Sequence, residues 1–384
     1  MPIYKANGKK DGLQKYNVRI NYTDAEGKGR QLTRVAYGLD AAKKLERELT
    51  INLSTEKNRK ITLQDVYDEY LISMKSELRE TSLNKNKSRL EMYVLPTLGK
   101  YRIEKINSQI IQRWKNDIEQ VKIKNGTAPM SLNTKQGLYS VFRAFLNYAV
   151  RMEYIDKSPL ANISNFKDVS TIKNTDMDYY TSDEFLKFIS VAREKAIIHE
   201  KQHNSLYDWN YYVFFNIAFY TGMRKGEINA LQWTDIDGDI IHITKSVVQK
   251  LRGNDRITPP KNKSSVRDIQ IPLPLQEVLK EHKQRLLDNG LYDENAYICG
   301  GQRAIRDTSL SKKNIEYANL AGLKHIRIHD FRHSHASLLA NNGINIQEIA
   351  RRLGHSKIEM TWNTYSHLYP RENEKAIEIL NKIK

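Results

Sequence analysis

The chain has 384 residues, 62 of them Lys or Arg against 45 Asp or Glu, a formal net charge of +17, and a 40% hydrophobic share. That length predicts two or three domains. The apolar share is enough for packed cores, and no run of about 18 apolar residues could span a bilayer. The N-terminus, "MPIYKANGKKDGL", lacks the apolar stretch of a signal peptide. The one cysteine, Cys299, excludes an intrachain disulfide and points to a reducing cytoplasm; in "YICG" it reads as a small buried residue at a strand end. Basic residues are spread along the whole chain, which suits a protein lying on a polyanion over a long path. An anionic membrane surface would call for a strongly amphipathic basic helix, and none stands out.

In chain order, "KYNVRINYT" and "RQLTRVAYG" alternate polar and apolar residues around the Gly-containing turn "DAEGKGR" and predict strands. "LDAAKKLERELTINL" predicts a helix with Asp40 as its N-cap. Residues 1–60 hold 14 Lys and Arg against 7 Asp and Glu. A small basic sheet with one helix is too small to build an enzyme pocket, but it could lie on DNA. "STEKNRK", 54–60, reads as a linker. Residues 61–165 read as helical. "TLQDVYDEYLISMK" starts at a Thr62 cap and puts Leu63, Val66, Tyr67, Tyr70 and Leu71 on one face. "TSLNKNKSRLEMYVLPTLG" is a helix broken by Pro96 and Gly99, and "NSQIIQRWKNDIEQV" and "SLNTKQGLYSVFRAFLNYAVRMEYI" follow. The faces opposite the apolar stripes carry Lys85, Lys87, Arg89, Lys135 and Arg143, which could meet phosphates. Residues 156–176 read as a linker. The last part, about 178–384, is mixed: a helix from "TSDEFLKFISVAREKA" with a Thr181–Glu184 capping box, an almost wholly apolar central helix in "WNYYVFFNIAFYTG", strands in "GDIIHITKSVVQK" and "SSVRDIQIP", then helices.

"HDFRHSHAS", 329–337, is where the chemistry starts. His329 and His333 stand four apart on a predicted helix, so "HDFRH" invites comparison with the zinc signature H-E-x-x-H. Asp330 is shorter than the Glu that must reach a zinc-bound water, Arg332 would sit a turn from a dication, and no carboxylate cluster of magnesium type lies nearby. No metal is therefore expected. "TGMRKGEINAL" puts Arg224 at the end of the apolar helix, where it needs an anion or carboxylate; Glu227 can brace it. "TPPKNKSSVRDIQIP" places Lys261 in a turn between strands. "RRLGHSKIEMTWNTYSHLYP" supplies His355 and Tyr365. Singly these could be an ion pair, a surface lysine, a helix cap and a half-buried tyrosine. Together, two arginines, a lysine, two histidines and a tyrosine suit phosphoryl transfer. Guanidinium forks match the charge that builds on a phosphodiester. A tyrosine hydroxyl, with its pKa near 10, needs a proton acceptor before it can attack, and histidine suits that task.

In order and spacing, "TGMRKGE", a hairpin lysine, "HDFRH", "LGH" and a tyrosine ten residues beyond that histidine resemble the tyrosine recombinases of the phage-integrase family. The match covers about 180–370. The 1–55 segment is similar to the arm-type domain of integrases from conjugative transposons and temperate phages of Gram-positive bacteria. The resemblance implies a multi-domain, mainly α protein with small β-sheets. Its parts would be a small three-stranded sheet plus helix (1–55), a helical core DNA-binding domain (61–165), and a mixed α/β catalytic domain with a C-terminal docking helix (178–384). Carried over, Arg224 and Arg332 would clamp the scissile phosphate, and Tyr365 would attack it to form a 3′-phosphotyrosine. Lys261 would protonate the 5′-oxygen, His329 would assist proton transfer at Tyr365, His355 would bond a phosphate oxygen, and Glu227 would support Arg224. Lys263 is the alternative acid and Tyr369 the alternative nucleophile. His333 and His335 read as packing or DNA-contact residues. The resemblance further implies no cofactor, metal or ATP, and core and arm sites on double-stranded DNA. It implies a homotetramer on two DNA sites passing through a Holliday junction, and an accessory excision or bending protein. A type IB-like topoisomerase and a non-catalytic DNA-binding regulator are the competing readings.

Overall fold

The computed structural model describes residues 3–23, 29–56, 61–123, 128–167, 177–249, 255–259 and 263–369, together with 377, 380 and 381. The chain divides into two compact units, Met1–Lys173 and Asn174–Lys384, and the division falls inside the stretch read as a linker. It is mainly α with small sheets, as the sequence predicts. No helix among the described residues is long and apolar enough to cross a membrane.

The first unit opens with strands β1 (Ile3–Lys10), β2 (Leu13–Thr23) and β3 (Gly29–Tyr37) in an antiparallel sheet of order β1-β2-β3. Alternation puts Val18 and Ala36 on a buried face, with Tyr16 and Ile20 beside them, against Ala42, Leu45 and Leu49 of helix α1 (Leu39–Glu56). Arg19 and Asn21, one residue out of step, stay exposed, as the two-residue period of a half-buried strand requires. Asp40 is not the N-cap. The helix already starts at Leu39, after Gly38 at φ +91 has turned the chain, so Asp40 lies in the first turn. There its charge still meets the positive end of the helix dipole.

Helices α2 (Leu63–Glu77), α3 (Glu80–Tyr93), α4 (Leu95–Leu98), α5 (Ser108–Gln120) and α6 (Leu132–Arg151) follow, with a two-residue ladder between β4 (Lys122–Ile123) and β5 (Ala128–Pro129). Thr62 caps α2 in a reciprocal box with Asp65. Leu63, Val66, Tyr67 and Tyr70 are buried and Leu71 lies against the same core. Pro96 does not simply end a helix: it sits in the first turn of α4, the position where a missing N–H costs nothing. Trp114, Leu138, Phe142 and Phe145 form the centre of this core. Among the basic residues of the opposite faces, Lys135 is paired with Glu119, and Lys87 lies 3.9 Å from Glu91.

The second unit contains α7 (Ser182–His203), α8 (Trp209–Thr221) and α9 (Lys225–Ile228), then strands β6 (Ile236–Asp237), β7 (Ile240–Ile243), β8 (Ser246–Val248), β9 (Arg256–Thr258) and β10 (Arg267–Gln270). After these come α10 (Leu273–Asp288), α11 (Asp307–Leu320), α12 (Asp330–Asn341), α13 (Ile346–Leu353) and α14 (Ile358–Tyr365). Thr181 and Glu184 form the capping box of α7. Helix α8 is apolar all round and central, as such helices must be: Val213, Phe214, Phe215 and Ile217 are completely buried. Burying one such side chain contributes about 1.5–3 kcal/mol. The stretch "GDIIHITKSVVQK" is not one strand: β7 pairs with β10 and β6, while β8 pairs with β9 in a second sheet. A smaller core of Ala336, Ala340, Ile349 and Leu353 ties α12 and α13 to Tyr365 at the end of α14.

Candidate active site

Two glycines set the backbone of the site. Gly222 ends α8 at φ +64, where a Cβ would stand 2.7 Å from the His335 ring. Gly354 ends α13 at φ +65, where a Cβ would stand 3.0 Å from the Ser264 carbonyl oxygen. Both positions need a left-handed conformation and close approach, which glycine alone supplies without strain. Their carbonyls then serve the arginines. Arg332, only 3% exposed, donates from Nη1 to the Gly222 carbonyl (2.8 Å) and from Nη2 to that of Leu353 (2.6 Å). Arg224 donates from Nη2 to the Gly354 carbonyl (3.2 Å).

Glu227 sits one short turn beyond Arg224 and braces it twice. Its Oε2 accepts the Arg224 backbone N–H (2.9 Å), and its Oε1 accepts Nη1 of the same residue (2.9 Å). The structure adds a third arginine that the sequence reading missed. Arg267 Nη2 donates to Glu227 Oε2 (3.0 Å), its Nε to the Arg352 carbonyl (2.7 Å) and its Nη1 to the Ser265 carbonyl (3.1 Å). Strand register offered a signal: Arg267 shares its face of β10 with the buried Ile269, so its side chain had to go inward and find a partner.

Two guanidiniums therefore share one carboxylate, and a third, Arg332, lies within its electrostatic reach. Burial alone would raise the Glu227 pKa, but Arg267 and Arg224 outweigh it and hold the carboxylate below its ordinary value. Burial, and then the charges of Arg224 and Arg267, bring Arg332 down to about 9. Among the described residues Arg332 has no carboxylate hydrogen-bonded to it. The nearby Asp330 is taken by Arg327, through Nε (3.0 Å) and Nη2 (2.9 Å). A buried cation held only by carbonyls is a strong anion-binding group.

Tyr365 is 1% exposed. Burial raises its pKa, with Arg332 pulling the other way. Its hydroxyl lies 2.6 Å from Nδ1 of His333, one turn along α12 from His329. His329 does not make that contact; its ring stands edge-on to the His333 ring, centroids 5.2 Å apart. The signal for His333 was its spacing, four residues after His329 on the same helix face. His355 follows Gly354, its Nδ1 2.7 Å from the buried Thr361 hydroxyl. Burial, then the positive charges of Arg332, Arg224 and Arg267, push His355 down to about 4. Burial and its neighbours His333 and Arg332 push His329 to about 4 as well. Tyr369 donates its hydroxyl to the Ile344 carbonyl. His335 is buried, with Nδ1 2.8 Å from the Phe219 carbonyl oxygen and Nε2 accepting from Arg352 Nε (3.3 Å). Lys261 and the side chain of Lys263 lie outside the described residues, as does most of the C-terminal segment read as a docking helix.

Residues 187–372 match the phage integrase family, and residues 62–118 match the phage integrase N-terminal SAM-like domain. The ICEBs1 integrase of Bacillus subtilis is 26% identical over 97% of this chain and 98% of its own length. A XerC-like tyrosine recombinase of Caldanaerobacter subterraneus is 26% identical over 99% of both chains. Among solved structures, the integrase of transposon Tn1549 in complex with transposon right-end DNA covers 84% of this chain and all of its own, with TM-score 0.63 and 18% identity. A lambda integrase tetramer bound to a Holliday junction covers 93% of this chain and 96% of its own, with TM-score 0.55 and 18% identity. Fold and matches define a tyrosine-type site-specific recombinase and do not favour the topoisomerase or regulator alternatives. The chain belongs to the phage integrase family.

Proposed function

We propose that the protein cuts and rejoins double-stranded DNA at specific sites through a 3′-phosphotyrosine intermediate, as the integrase of a mobile element. The observation that carries this is the excess of guanidinium over carboxylate beside a buried tyrosine: Arg224 and Arg267 share Glu227, and Arg332, which feels all three, is within electrostatic reach of Tyr365. A scissile phosphodiester would supply the missing negative charge, and its transition state carries more of it than its ground state.

In this reading Arg224 and Arg332 clamp the non-bridging oxygens, with Glu227 holding Arg224 in place. His355 bonds a phosphate oxygen, and His329 assists proton transfer near the nucleophile. Tyr365 forms a bond to phosphorus as the bond to the 5′-oxygen breaks. Lys261, or Lys263 in its place, gives that oxygen its proton. The phosphotyrosine keeps the energy of the broken diester, so resealing needs no nucleotide cofactor. Residues 1–55 would bind arm sites, 61–165 core sites, and 178–384 would carry the chemistry and the docking tail. The lambda integrase tetramer bound to a Holliday junction supports a homotetramer; in this reading the tetramer would act on two DNA sites in the cytoplasm, with an accessory excision or bending protein.

The test is to mix the protein with fragmented DNA of the genome that encodes it and recover covalent complexes under denaturing conditions. The trapped DNA is sequenced and the linked residue mapped by mass spectrometry. One recurrent cut site joined to Tyr365 is the expected result. Trapping at Tyr369, or no covalent complex despite tight binding, would refute it.

A further inference from the structure

We propose that His333 is a catalytic residue of this site, the immediate acceptor of the Tyr365 proton during strand cleavage. The inference rests on the recombinase reading and goes beyond it, because no role is assigned there to His333.

The geometry comes first. His333 Nδ1 and the Tyr365 hydroxyl oxygen are 2.6 Å apart, a strong O–H···N distance. Their rings lie 5.8 Å apart at the centroids, joined by that one bond. Tyr365 is held from behind by the small core of Ala336, Ala340, Ile349 and Leu353, and His333 stands on α12, the helix that carries Ala336 and Ala340, so the pairing follows from the packing of α12 against α14. It is not a chance meeting of surface side chains.

The protonation state agrees. The charged groups facing His333 are Asp330, Arg327 and Arg332 on or beside its own helix, with the His329 ring against it and Tyr365 from α14. Burial lowers the His333 pKa; Asp330 opposes this, while Arg327 and Arg332 add to it. The imidazole is thus neutral near pH 7 and offers a lone pair. The phenol, its own pKa raised, donates into it. When the Tyr365 oxygen bonds to phosphorus, its proton passes to Nδ1. The P–O bond to the 5′-oxygen breaks, and that oxygen is protonated by the general acid. The imidazolium so formed faces the buried carboxylate of Asp330, and it returns the proton to Tyr365 when the strand is resealed.

The experiment uses the full chain and a nicked duplex carrying the cut site recovered from the encoding genome. Single-turnover cleavage is measured against pH for wild type, His333→Asn and His333→Ala. Asn can place an oxygen near the Nδ1 position and keep Tyr365 tethered, but it cannot take up the proton. Positioned acid–base groups contribute roughly 10²–10⁴-fold, so both variants should cleave at least about 100-fold slower while binding the duplex as wild type does. The wild-type loss of rate on the acid side should vanish in both, and added imidazole should restore part of the His333→Ala rate. A His333→Asn protein that recovers the wild-type rate and pH profile would reduce His333 to a positioning residue and overturn the proposal. Variants that lose DNA binding together with cleavage would overturn it in favour of a structural role. Unchanged cleavage in both variants, with Tyr365→Phe inactive, would overturn it and leave the recombinase reading standing. A wild-type protein that forms no covalent complex would sink both.

Discussion

Glu227→Gln is the most informative single change outside the reacting atoms. In the wild type one carboxylate, its side chain 3% exposed, accepts from Arg267, 6% exposed, and from Arg224, 36% exposed. The amide of the variant would keep the shape and one acceptor but leave three guanidiniums with no anion hydrogen-bonded among them. Removing one partner of a buried ion pair costs about 3–5 kcal/mol, because the other charge remains buried. For a unit the size of residues 174–384, each kcal/mol moves Tm by roughly 2–4 °C, so a fall of roughly 6–20 °C is expected. Most of it comes from the Arg267 pair, since the half-open Arg224 is screened by solvent. Urea unfolding followed by circular dichroism, with and without inorganic phosphate, measures it, and phosphate should stabilise the variant more than the wild type. Arg267→Met alone should also destabilise. The double variant should be better than the sum of the two by more than about 1 kcal/mol, since it removes the buried Arg267 charge that Glu227→Gln alone would orphan. Strict additivity, or a loss under about 1 kcal/mol in Glu227→Gln, would refute the charge-balance account.

Gly354→Ala should cost about 1–3 kcal/mol, since φ +65 and the Ser264 carbonyl oxygen at 3.0 Å leave no room for a methyl group; a thermal melt equal to wild type would contradict this. Tyr365→Phe should abolish the covalent adduct yet stay within about 1.5 kcal/mol of wild-type stability in urea melts, because it removes one hydroxyl and its bond to His333. Burial holds His282 and His335 down to about 4 and about 3, against the ordinary 6.5. Below pH 6.5 the unfolded chain therefore binds protons that the folded chain does not. Stability is full above pH 6.5 and falls by about 1.4 kcal/mol per pH unit for each histidine until the folded pKa is reached. Urea melts near pH 7 and near pH 5 should differ accordingly, with a shallower slope in His282→Gln; equal stability at both pH values would contradict it.

What the sequence made legible was local. The Thr62 cap and the Thr181–Glu184 box are stated by three-residue spacings, and both form. The almost wholly apolar α8 announced its own burial. Arg224 and Glu227 are three apart and pair. What it hid was long-range or conformational. Arg267 meets Glu227 across forty residues, and nothing local to either names the other. The start of α1 is moved by Gly38 at φ +91, so Asp40 enters the first turn instead of capping it. The division of "GDIIHITKSVVQK" between two sheets depends on which partner each half finds. His333 was hidden for another reason: three histidines within seven residues look alike in sequence, and only the packing of α14 decides which of them reaches Tyr365.

That same packing explains why the site can remain folded while electrostatically incomplete. Arg332 is buried without a carboxylate hydrogen bond, yet its donors are not wasted, because the carbonyls of Gly222 and Leu353 take two of them. Those carbonyls exist in the right place only because α8 and α13 both end in left-handed glycines. Neutral carbonyls satisfy hydrogen bonding without cancelling charge. The guanidinium is thus fixed in direction but left positive, and the histidines around it are held neutral by burial and by the same field. On the proposed reading, an incoming phosphodiester would meet a rigid cationic frame that need not reorganise, and its charge would relieve the repulsion between Arg224, Arg267 and Arg332. Substrate binding and stabilisation of the second unit are then one effect, so DNA bearing the cut site should raise the melting temperature of the Tyr365→Phe protein more than DNA lacking that site does.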